Sequence, residues 1–319
     1  MISTITLNPS LDRTLEVPSL TRGNTTRSTS FRIDAGGKGI NVSKALSLFG
    51  YQTACVYPAG GVEGAEITRI LDNFQIAQHV VPIAGSNRVN ISVVEPDGTV
   101  TKINEPGPAL SKKEMDLLLL ESISAANWGN YLVASGSLPR GVDHSTYGII
   151  LNSVKELKVK VVIDTSGDAL KAAVQSKPYL IKPNIEELQE LCGKRFRTFG
   201  EVVAAAKALV AEGVGSLLVS LGEDGAIYID DERVVHGEVK VDAVKSSVGA
   251  GDCLLAGFIA EEGDVEVRLA RALRWAGATI SLPGSLMAGP SDIGDCAIAI
   301  NTSIEEGRLI QSSFESIRA

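Results

Sequence analysis

The sequence predicts an α/β protein with a mostly parallel sheet, because short apolar runs alternate with segments of helical periodicity. Strands buried on both faces of such a sheet are short and rich in Val, Ile and Leu. Six segments of this kind are the predicted strands: residues 2–7, 53–57, 131–134, 159–163, 179–181 and 216–220. Two helix starts between them have the spacing of a capping box, Ser111 with Glu114 and Thr198 with Glu201.

Two further segments break this alternation and predict a second, small sheet. Residues 27–33 alternate polar and apolar side chains, and residues 88–95 and 99–104 flank an Asp-Gly turn that is typical of a hairpin. Both patterns indicate antiparallel strands with one exposed face. We expect a small β-sheet lid made from inserts at about residues 11–35 and 86–107, within a single domain of residues 1–319.

The composition excludes several classes of protein. A net charge of −8 argues against a general affinity for nucleic acid or for an anionic membrane. Residues 13–44 nevertheless contain six basic side chains and two acidic ones, which is compatible with a small anionic substrate. The four cysteines form no CxxC pair, which disfavours a zinc site or a disulfide framework. We find neither a signal-peptide pattern nor an apolar run of membrane-spanning length, so we expect a cytoplasmic protein.

Two glycine-rich helix starts carry the strongest chemical signal. They are residues 36–41, with the sequence GGKGIN, and residues 249–252, with the sequence GAGD. Small residues at a helix N-terminus let a phosphate approach the backbone N–H groups. Asp252 taken alone is equally well explained as a helix-start acid. Together, the two segments indicate a chemistry that moves a phosphoryl group between two bound partners.

Ligands of such sheets bind at the carboxyl ends of the strands, where the loops that carry Asp164, Asn184 and Gly222 emerge. Asn184 and Glu187 are oxygen ligands suited to Mg²⁺, although the same pattern is a helix cap. Lys182 either faces solvent or reaches a nucleotide phosphate. Residues 220–225, with the sequence SLGEDG, either form only a turn or let a nucleotide pack against their backbone.

Other catalytic patterns are missing from the sequence. It contains neither GxxxxGK[ST] nor a GxGxxG after the first strand, which disfavours a P-loop enzyme and a Rossmann dehydrogenase. His79, His144 and His236 have no partners at the spacing of a metal site or a catalytic triad. We therefore interpret the three histidines as surface or packing residues.

The motifs jointly resemble the ribokinase-like PfkB family of carbohydrate kinases. The resemblance covers about residues 1–282 and rests on residues 4–12 (TITLNPSLD), 36–42 (GGKGINV) and 249–252 (GAGD). It implies a three-layer α/β/α core, a β-sheet lid that often builds a homodimer, and the use of ATP with Mg²⁺. Within the family, the chain is similar to the branch that acts on hexose phosphates.

The resemblance also implies a role for each matching residue. Asp252 would deprotonate the acceptor hydroxyl, beside Gly249, Ala250 and Gly251. The sugar phosphate would be bound by Asp12, Gly36, Gly37, Lys38, Gly39, Asn41, Arg88, Asn90 and Ser137, with Lys38 and Arg88 on its phosphate. ATP would be bound by Lys182, Asn184, Ser220, Gly222 and Gly225, and Mg²⁺ by Asn184 and Glu187, directly or through water.

The implied reaction converts fructose 1-phosphate and ATP to fructose 1,6-bisphosphate. Tagatose 6-phosphate and fructose 6-phosphate are alternative substrates. A sugar-phosphate sensor without catalytic activity is an alternative from another class, against which the intact residues 249–252 argue. Residues 281–295 depart from the adenine-side pattern of the branch, which leaves the nucleotide contacts and a monovalent-cation site open. We expect no nucleic-acid or membrane partner, and a homodimer formed through the lid.

Overall fold

The computed structural model describes residues 1–311. Its main sheet has ten strands. Seven of them are parallel and lie in the order β5 (Ile76–Pro82), β4 (Thr53–Ala59), β1 (Ile2–Thr6), β8 (Tyr131–Ser135), β9 (Lys160–Asp164), β10 (Leu180–Ile181) and β11 (Leu217–Ser220). The antiparallel strands β12 (Ala226–Ile229), β13 (Val234–Val239) and β14 (Ile298–Asn301) extend the sheet beyond β11. The predicted mixed α/β fold with a mostly parallel sheet is confirmed.

Helices cover both faces of the main sheet. One face packs against α1 (Lys38–Leu48), α8 (Ala250–Ile259) and α9 (Val265–Ile280). The other packs against α3 (Lys112–Ala126), α4 (Thr146–Ser153), α5 (Gly167–Val174), α6 (Ile185–Cys192) and α7 (Phe199–Ala211). In β8, Leu132 and Ala134 face one helical layer whereas Tyr131 and Val133 face the other, which explains the continuous apolar run. Both predicted capping boxes are present, at the starts of α3 and α7.

A smaller sheet of four strands lies beside the main one. Its order is β3 (Ser30–Gly36), β2 (Ser10–Glu16), β6 (Arg88–Val94) and β7 (Val100–Asn104), and α2 (Gly61–Leu71) packs against β2 and β3. The outer pairs are antiparallel, as predicted, but the central pair β2–β6 is parallel. The reason is that β2 follows β1 and β6 follows β5, two parallel strands that end at the same edge of the main sheet. None of the helices within residues 1–311 is both long and apolar enough to cross a bilayer.

Candidate active site

Asp252 lies in the first turn of α8, buried beside the carboxyl ends of β9 and β10. Gly249 caps this helix with a φ of 79°, a conformation that glycine adopts at little cost. The Oδ2 atom of Asp252 accepts a hydrogen bond of 2.8 Å from Nδ2 of Asn41. Since Asn41 belongs to the first turn of α1, the two glycine-rich helix starts meet at this hydrogen bond.

The surroundings of Asp252 make its carboxylate more basic. Burial raises the pKa of Asp252 to about 6, and the negative charge of Asp164 adds to this shift. The positive charge of Lys38 and the hydrogen bond from Asn41 oppose it. A carboxylate with such a pKa is ionised at neutral pH and can accept a proton more readily than an ordinary aspartate. The position therefore suits a general base.

An ion-pair network lies next to Asp252 and is centred on Asp164, the last residue of β9. The fully buried carboxylate accepts a hydrogen bond of 2.7 Å from Nζ of Lys38 through Oδ1, and its Oδ2 lies 3.2 Å from Nζ of Lys182. Burial alone would raise the pKa of Asp164, but the two ammonium groups outweigh it and hold this pKa below its usual range. The sequence placed Asp164 at the ligand-binding edge without indicating that it would hold both lysines.

Both lysines point towards the centre of the site. Lys182 is 4% exposed, which excludes the solvent-facing alternative, and a Cβ added to Gly251 would lie 3.2 Å from its Nζ. Lys38 lies in the first turn of α1, with its Nζ 3.5 Å from Oε1 of Glu187. Burial opposes the charge of Lys38, but Asp164 and Glu187 outweigh it and raise the pKa of this lysine above its usual value. Lys38 therefore stays protonated.

The first glycine loop carries the Asp12 carboxylate. A Cβ added to Gly36 would lie 2.1 Å from Oδ2 of Asp12, so only glycine allows the carboxylate to lie across the loop. Gly37 then caps α1, and the N–H of Ile40 donates to Oγ1 of Thr6 at 2.9 Å. A Cβ on Gly39 would collide with this Thr6 oxygen. The loop is thereby fastened to the end of β1.

Asp12 belongs to a hydrogen-bonded group at the base of the small sheet. Its Oδ1 accepts from Oγ of Ser10 at 2.7 Å and from Nδ2 of Asn90 at 2.9 Å. Asp12 and Asn90 are directly opposite each other because β2 and β6 are parallel in this register. Burial raises the pKa of Asp12 above its usual value, although both hydrogen bonds oppose the shift. The group offers hydrogen-bonding side chains near the start of β2 and β6.

Asn8 is hydrogen-bonded to Arg88 through its backbone carbonyl and to Ser137 through its side chain. The guanidinium of Arg88 donates from Nε to the Asn8 carbonyl at 3.1 Å and from Nη1 to Oδ1 of Asn90 at 3.2 Å. The Nδ2 atom of Asn8 donates to Oγ of Ser137 at 3.2 Å. Arg88 is half-buried, so its charge faces a partly shielded region rather than open solvent.

Lys38 and Arg88 are held by different groups. Lys38 pairs with Asp164 and Glu187 on the Asp252 side, whereas Arg88 bonds to Asn8, Asn90 and the Glu105 carbonyl on the side of the small sheet. The structure thus brings Lys38 close enough to Asp252 for their charges to interact, and it gives Lys38 and Arg88 no common partner among these contacts.

Asn184 and Glu187 form a reciprocal cap at the start of α6. The Glu187 N–H donates to Oδ1 of Asn184 at 2.7 Å, and the Asn184 N–H donates to Oε2 of Glu187 at 2.9 Å. The helix-cap interpretation is therefore correct, and it leaves Oε1 of Glu187 facing Lys38. Within residues 1–311, no three His, Cys, Asp or Glu side chains converge on a common metal position. Mg²⁺ is often held by one or two carboxylates together with substrate phosphates, and this donor set fits that mode of binding.

The loop of residues 220–225 begins beside this cap. Ser220 ends β11 and bridges to Asn184, with its N–H donating to the Pro183 carbonyl at 3.1 Å. Gly222 begins a short 3₁₀ turn, which is closed by a hydrogen bond of 3.1 Å from the Gly225 N–H to the Gly222 carbonyl, and the Leu221 N–H donates to the Gly225 carbonyl at 2.8 Å. The residues predicted for ATP therefore lie on adjacent strand ends.

Residues 281–295, which depart from the pattern of the family branch, connect the small sheet to α8. Arg32 donates from Nη2 to Oγ of Ser285 at 3.0 Å, and Ser285 donates to Oδ2 of Asp34 at 2.6 Å. In the same loop, Cε of Met287 lies 3.4 Å from the position of a Cβ added to Gly249. One loop thus contacts both β3 of the small sheet and the start of the helix that carries Asp252.

The three histidines occupy separate positions. His79 pairs with Glu121 at 3.0 Å, His144 is exposed, and His236 is buried with its Nε2 2.8 Å from the Asp224 carbonyl. These are the surface and packing positions that their spacing in the sequence suggested.

The sequence is similar to a known family and to named relatives. The profile of the pfkB family carbohydrate kinases matches residues 6–287. A protein named 1-phosphofructokinase from Bacillus subtilis is 35% identical over 260 residues, which cover 82% of this chain and 85% of that protein. A protein of the same name from Borreliella burgdorferi is 36% identical over 261 residues, covering 81% and 84%.

Solved structures are similar over most of their length. Phosphofructokinase-2 from Escherichia coli in complex with potassium has a TM-score of 0.87 and 29% identity, covering 92% of this chain and 96% of that chain. The same E. coli protein in complex with fructose-6-phosphate has a TM-score of 0.85 and 28% identity, with the same coverage. Because the family profile spans most of the sequence and the fold agrees, this chain belongs to the pfkB family of carbohydrate kinases.

Proposed function

We propose that this carbohydrate kinase transfers a phosphoryl group from ATP to fructose 1-phosphate, giving fructose 1,6-bisphosphate and ADP. The observation that carries the chemistry is the buried Asp252, bonded to Asn41 at the start of α8. The choice of substrate is supported by the curated relatives named 1-phosphofructokinase, at 35% and 36% identity.

In this proposal, Asp252 accepts the proton of the acceptor hydroxyl, and Asn41 keeps its carboxylate in one orientation. The N–H groups of Gly249, Ala250 and Gly251 face the phosphoryl oxygens as charge develops on them. Lys182 lies against the same helix turn and neutralises part of that charge.

The lid side binds the sugar phosphate. Asp12 and Asn41 bond to sugar hydroxyls against the loop of Gly36, Gly37 and Gly39, while Arg88, Asn90 and Ser137 surround the phosphate that is already present. The resemblance assigns Lys38 to this phosphate as well. Its ion pairs with Asp164 and Glu187 favour a contact with the phosphoryl group in transfer instead.

The nucleotide side consists of Lys182, Asn184, Ser220, Gly222 and Gly225. Asn184 and Glu187 would hold Mg²⁺ through water or phosphate oxygens. When it is bound, the ion neutralises negative charge on the nucleotide phosphates. A monovalent cation is a further candidate, and comparing turnover in potassium and in tetramethylammonium salts tests it.

We also propose that the chain forms one domain with a lid, and that the lid joins two copies. One face of the small sheet carries the apolar residues Phe31 and Ile103, which are 68% and 59% exposed, and the opposite face carries Asp12 and Asn90. A second copy would cover the apolar face. Sedimentation of the wild type and of Ile103→Lys tests the dimer, which the substitution should dissociate.

A panel of substrates tests the proposed reaction. ADP release with Mg²⁺ and ATP should give the highest kcat/KM with fructose 1-phosphate among fructose 1-phosphate, fructose 6-phosphate, tagatose 6-phosphate and fructose. A preference for fructose 6-phosphate, which is bound in the E. coli structural relative, would make fructose 6-phosphate the substrate and leave the proposed mechanism unchanged. Sugar-phosphate binding without any ADP release would instead support a non-catalytic sensor.

A further inference from the structure

The last described part of the chain is fastened to the start of α7. We call residues 304–311 the C-terminal strap. The Phe199 N–H donates to the Arg308 carbonyl at 3.0 Å, and the Ile310 N–H donates to the Arg197 carbonyl at 2.9 Å. Ile310 is fully buried. The family match ends at residue 287, so the C-terminal strap lies outside the matched span.

Asp224 attaches the strap to the loop of residues 220–225. Its carboxylate is 1% exposed; Oδ1 accepts from Nη2 of Arg308 at 3.0 Å, and Oδ2 accepts from the N–H of Gln311 at 2.7 Å. Hydrogen bonds to a buried carboxylate are strong, and both oxygens are used here. The side chain of Asp224 is therefore held in one orientation.

The same network holds the main chain of the loop. His236 on β13 donates from Nε2 to the Asp224 carbonyl at 2.8 Å, and its ring packs edge-to-face on Phe199 at 4.9 Å. The guanidinium of Arg308 lies over the Phe199 ring, 4.7 Å from the ring centre, and also pairs with Glu238. The loop of residues 220–225 is thus held both through the side chain of Asp224 and through its backbone carbonyl.

We propose that Asp224 and Arg308 are positioning residues for the nucleotide, through which the C-terminal strap keeps residues 220–225 in their binding conformation. The proposal rests on the nucleotide role proposed above for Ser220, Gly222 and Gly225. A loop that is already ordered loses less conformational freedom when a ligand binds. Releasing the strap should therefore weaken nucleotide binding while the sugar side, which the strap does not contact, keeps its affinity.

Arg308→Ala tests the proposal, with Arg233→Ala as the matched control. Arg233 pairs with Asp230 at 2.8 Å in the turn between β12 and β13, at the opposite end of this hairpin from Asp224. In Arg308→Ala, we expect the KM for ATP and the calorimetric Kd of ADP to rise roughly fivefold or more, with the KM for the sugar phosphate within about twofold. The control should change neither constant.

Equal nucleotide affinity in folded Arg308→Ala and Arg233→Ala would overturn the proposal. If Arg308→Ala does not fold, Asp224→Asn keeps the size of the side chain and should show the same selective loss. Hydrogen exchange on the unmodified protein gives a further test: saturating ADP should slow exchange in residues 220–226 and in the strap, and slowing in the loop alone contradicts the coupling. The exchange experiment contains no sugar, so it stays valid if the proposed sugar substrate is wrong. If ADP slows exchange neither in residues 220–226 nor in the strap, the nucleotide role of the loop itself is contradicted.

Discussion

Asp164 and Asp252 lie in the same buried network, yet their surroundings shift their pKa values in opposite directions. Asp164 is paired with Lys38 and Lys182, which keep it ionised, whereas burial and the charge of Asp164 raise the pKa of Asp252 to about 6. Two carboxylates whose pKa values are shifted apart in this way can take separate roles, one holding the two lysines and the other exchanging a proton.

Asp252→Asn should remove activity and stabilise the fold. Turnover should fall by about 10²–10⁴, the usual contribution of a positioned general base. The raised pKa means that the folded state disfavours the ionised form, so stability is lost as pH rises through about 6. At pH 7.5 the neutral amide should therefore raise the free energy of unfolding, by about 1–3 kcal/mol. Urea unfolding and steady-state turnover check both parts; wild-type turnover would remove Asp252 from the mechanism.

Asp164→Asn should have the opposite effect on stability. Because the pKa of Asp164 is lowered in the folded state, the ionised carboxylate stabilises the fold at pH values above the ordinary pKa of an aspartate. This stability is lost as the pH falls through the lowered pKa. The amide leaves Lys182 buried without its counter-charge, which should cost about 3–5 kcal/mol at neutral pH. Urea unfolding beside Asp252→Asn measures the contrast, and a shift of the same sign in both variants would refute the assignment of the network.

The rate should show an acid limb caused by Asp252. Protonation removes the base, so kcat/KM should decline below about pH 6. The phosphate of the substrate also titrates near pH 6, with a second pKa of about 6 for a phosphate monoester. Asn41→Ala separates the two causes, because loss of its hydrogen bond should move the limb to higher pH, whereas the titration of the substrate is unaffected. If the acid limb of Asn41→Ala lies at the same pH as that of the wild type, the limb is caused by titration of the substrate phosphate.

Six of the seven parallel strands and the two glycine-rich starts could be predicted because their signals are local. The sequence analysis missed β5, an edge strand of the main sheet in which only Ile76 and Val81 are buried. A buried strand such as β9 is an apolar run, and a glycine loop is a run of small residues. Strand β14 alternates half-buried and exposed residues over only four positions, so its sequence carries little periodicity. The roles of Asp164 and Asp224 depend on partners 126 and 84 residues away, and a single sequence does not reveal such pairs.

Glu187→Gln should raise the Mg²⁺ concentration needed for half-maximal turnover and slow the reaction, because a neutral oxygen replaces an anionic one near the nucleotide side. The substitution also weakens the cap of α6. Glu201→Gln is the matched control, since Glu201 closes the same kind of capping box at the start of α7. Both variants should lose similar stability, and only Glu187→Gln should change the Mg²⁺ titration. Superimposable titrations of both variants and the wild type would leave Glu187 as a helix cap alone.

Arg88→Ala should reveal why the substrate already carries a phosphate. The half-buried guanidinium, oriented by Asn8 and Asn90, would donate charge-assisted hydrogen bonds worth on the order of 1.5–3 kcal/mol to a sugar phosphate. Its loss should lower kcat/KM for fructose 1-phosphate by about 10- to 100-fold and leave free fructose nearly unaffected. Lys102→Ala removes an exposed cation from the neighbouring strand β7 and should change neither substrate. If Arg88→Ala lowers kcat/KM equally for fructose and for fructose 1-phosphate, Arg88 stabilises the lid and does not bind the phosphate of the substrate.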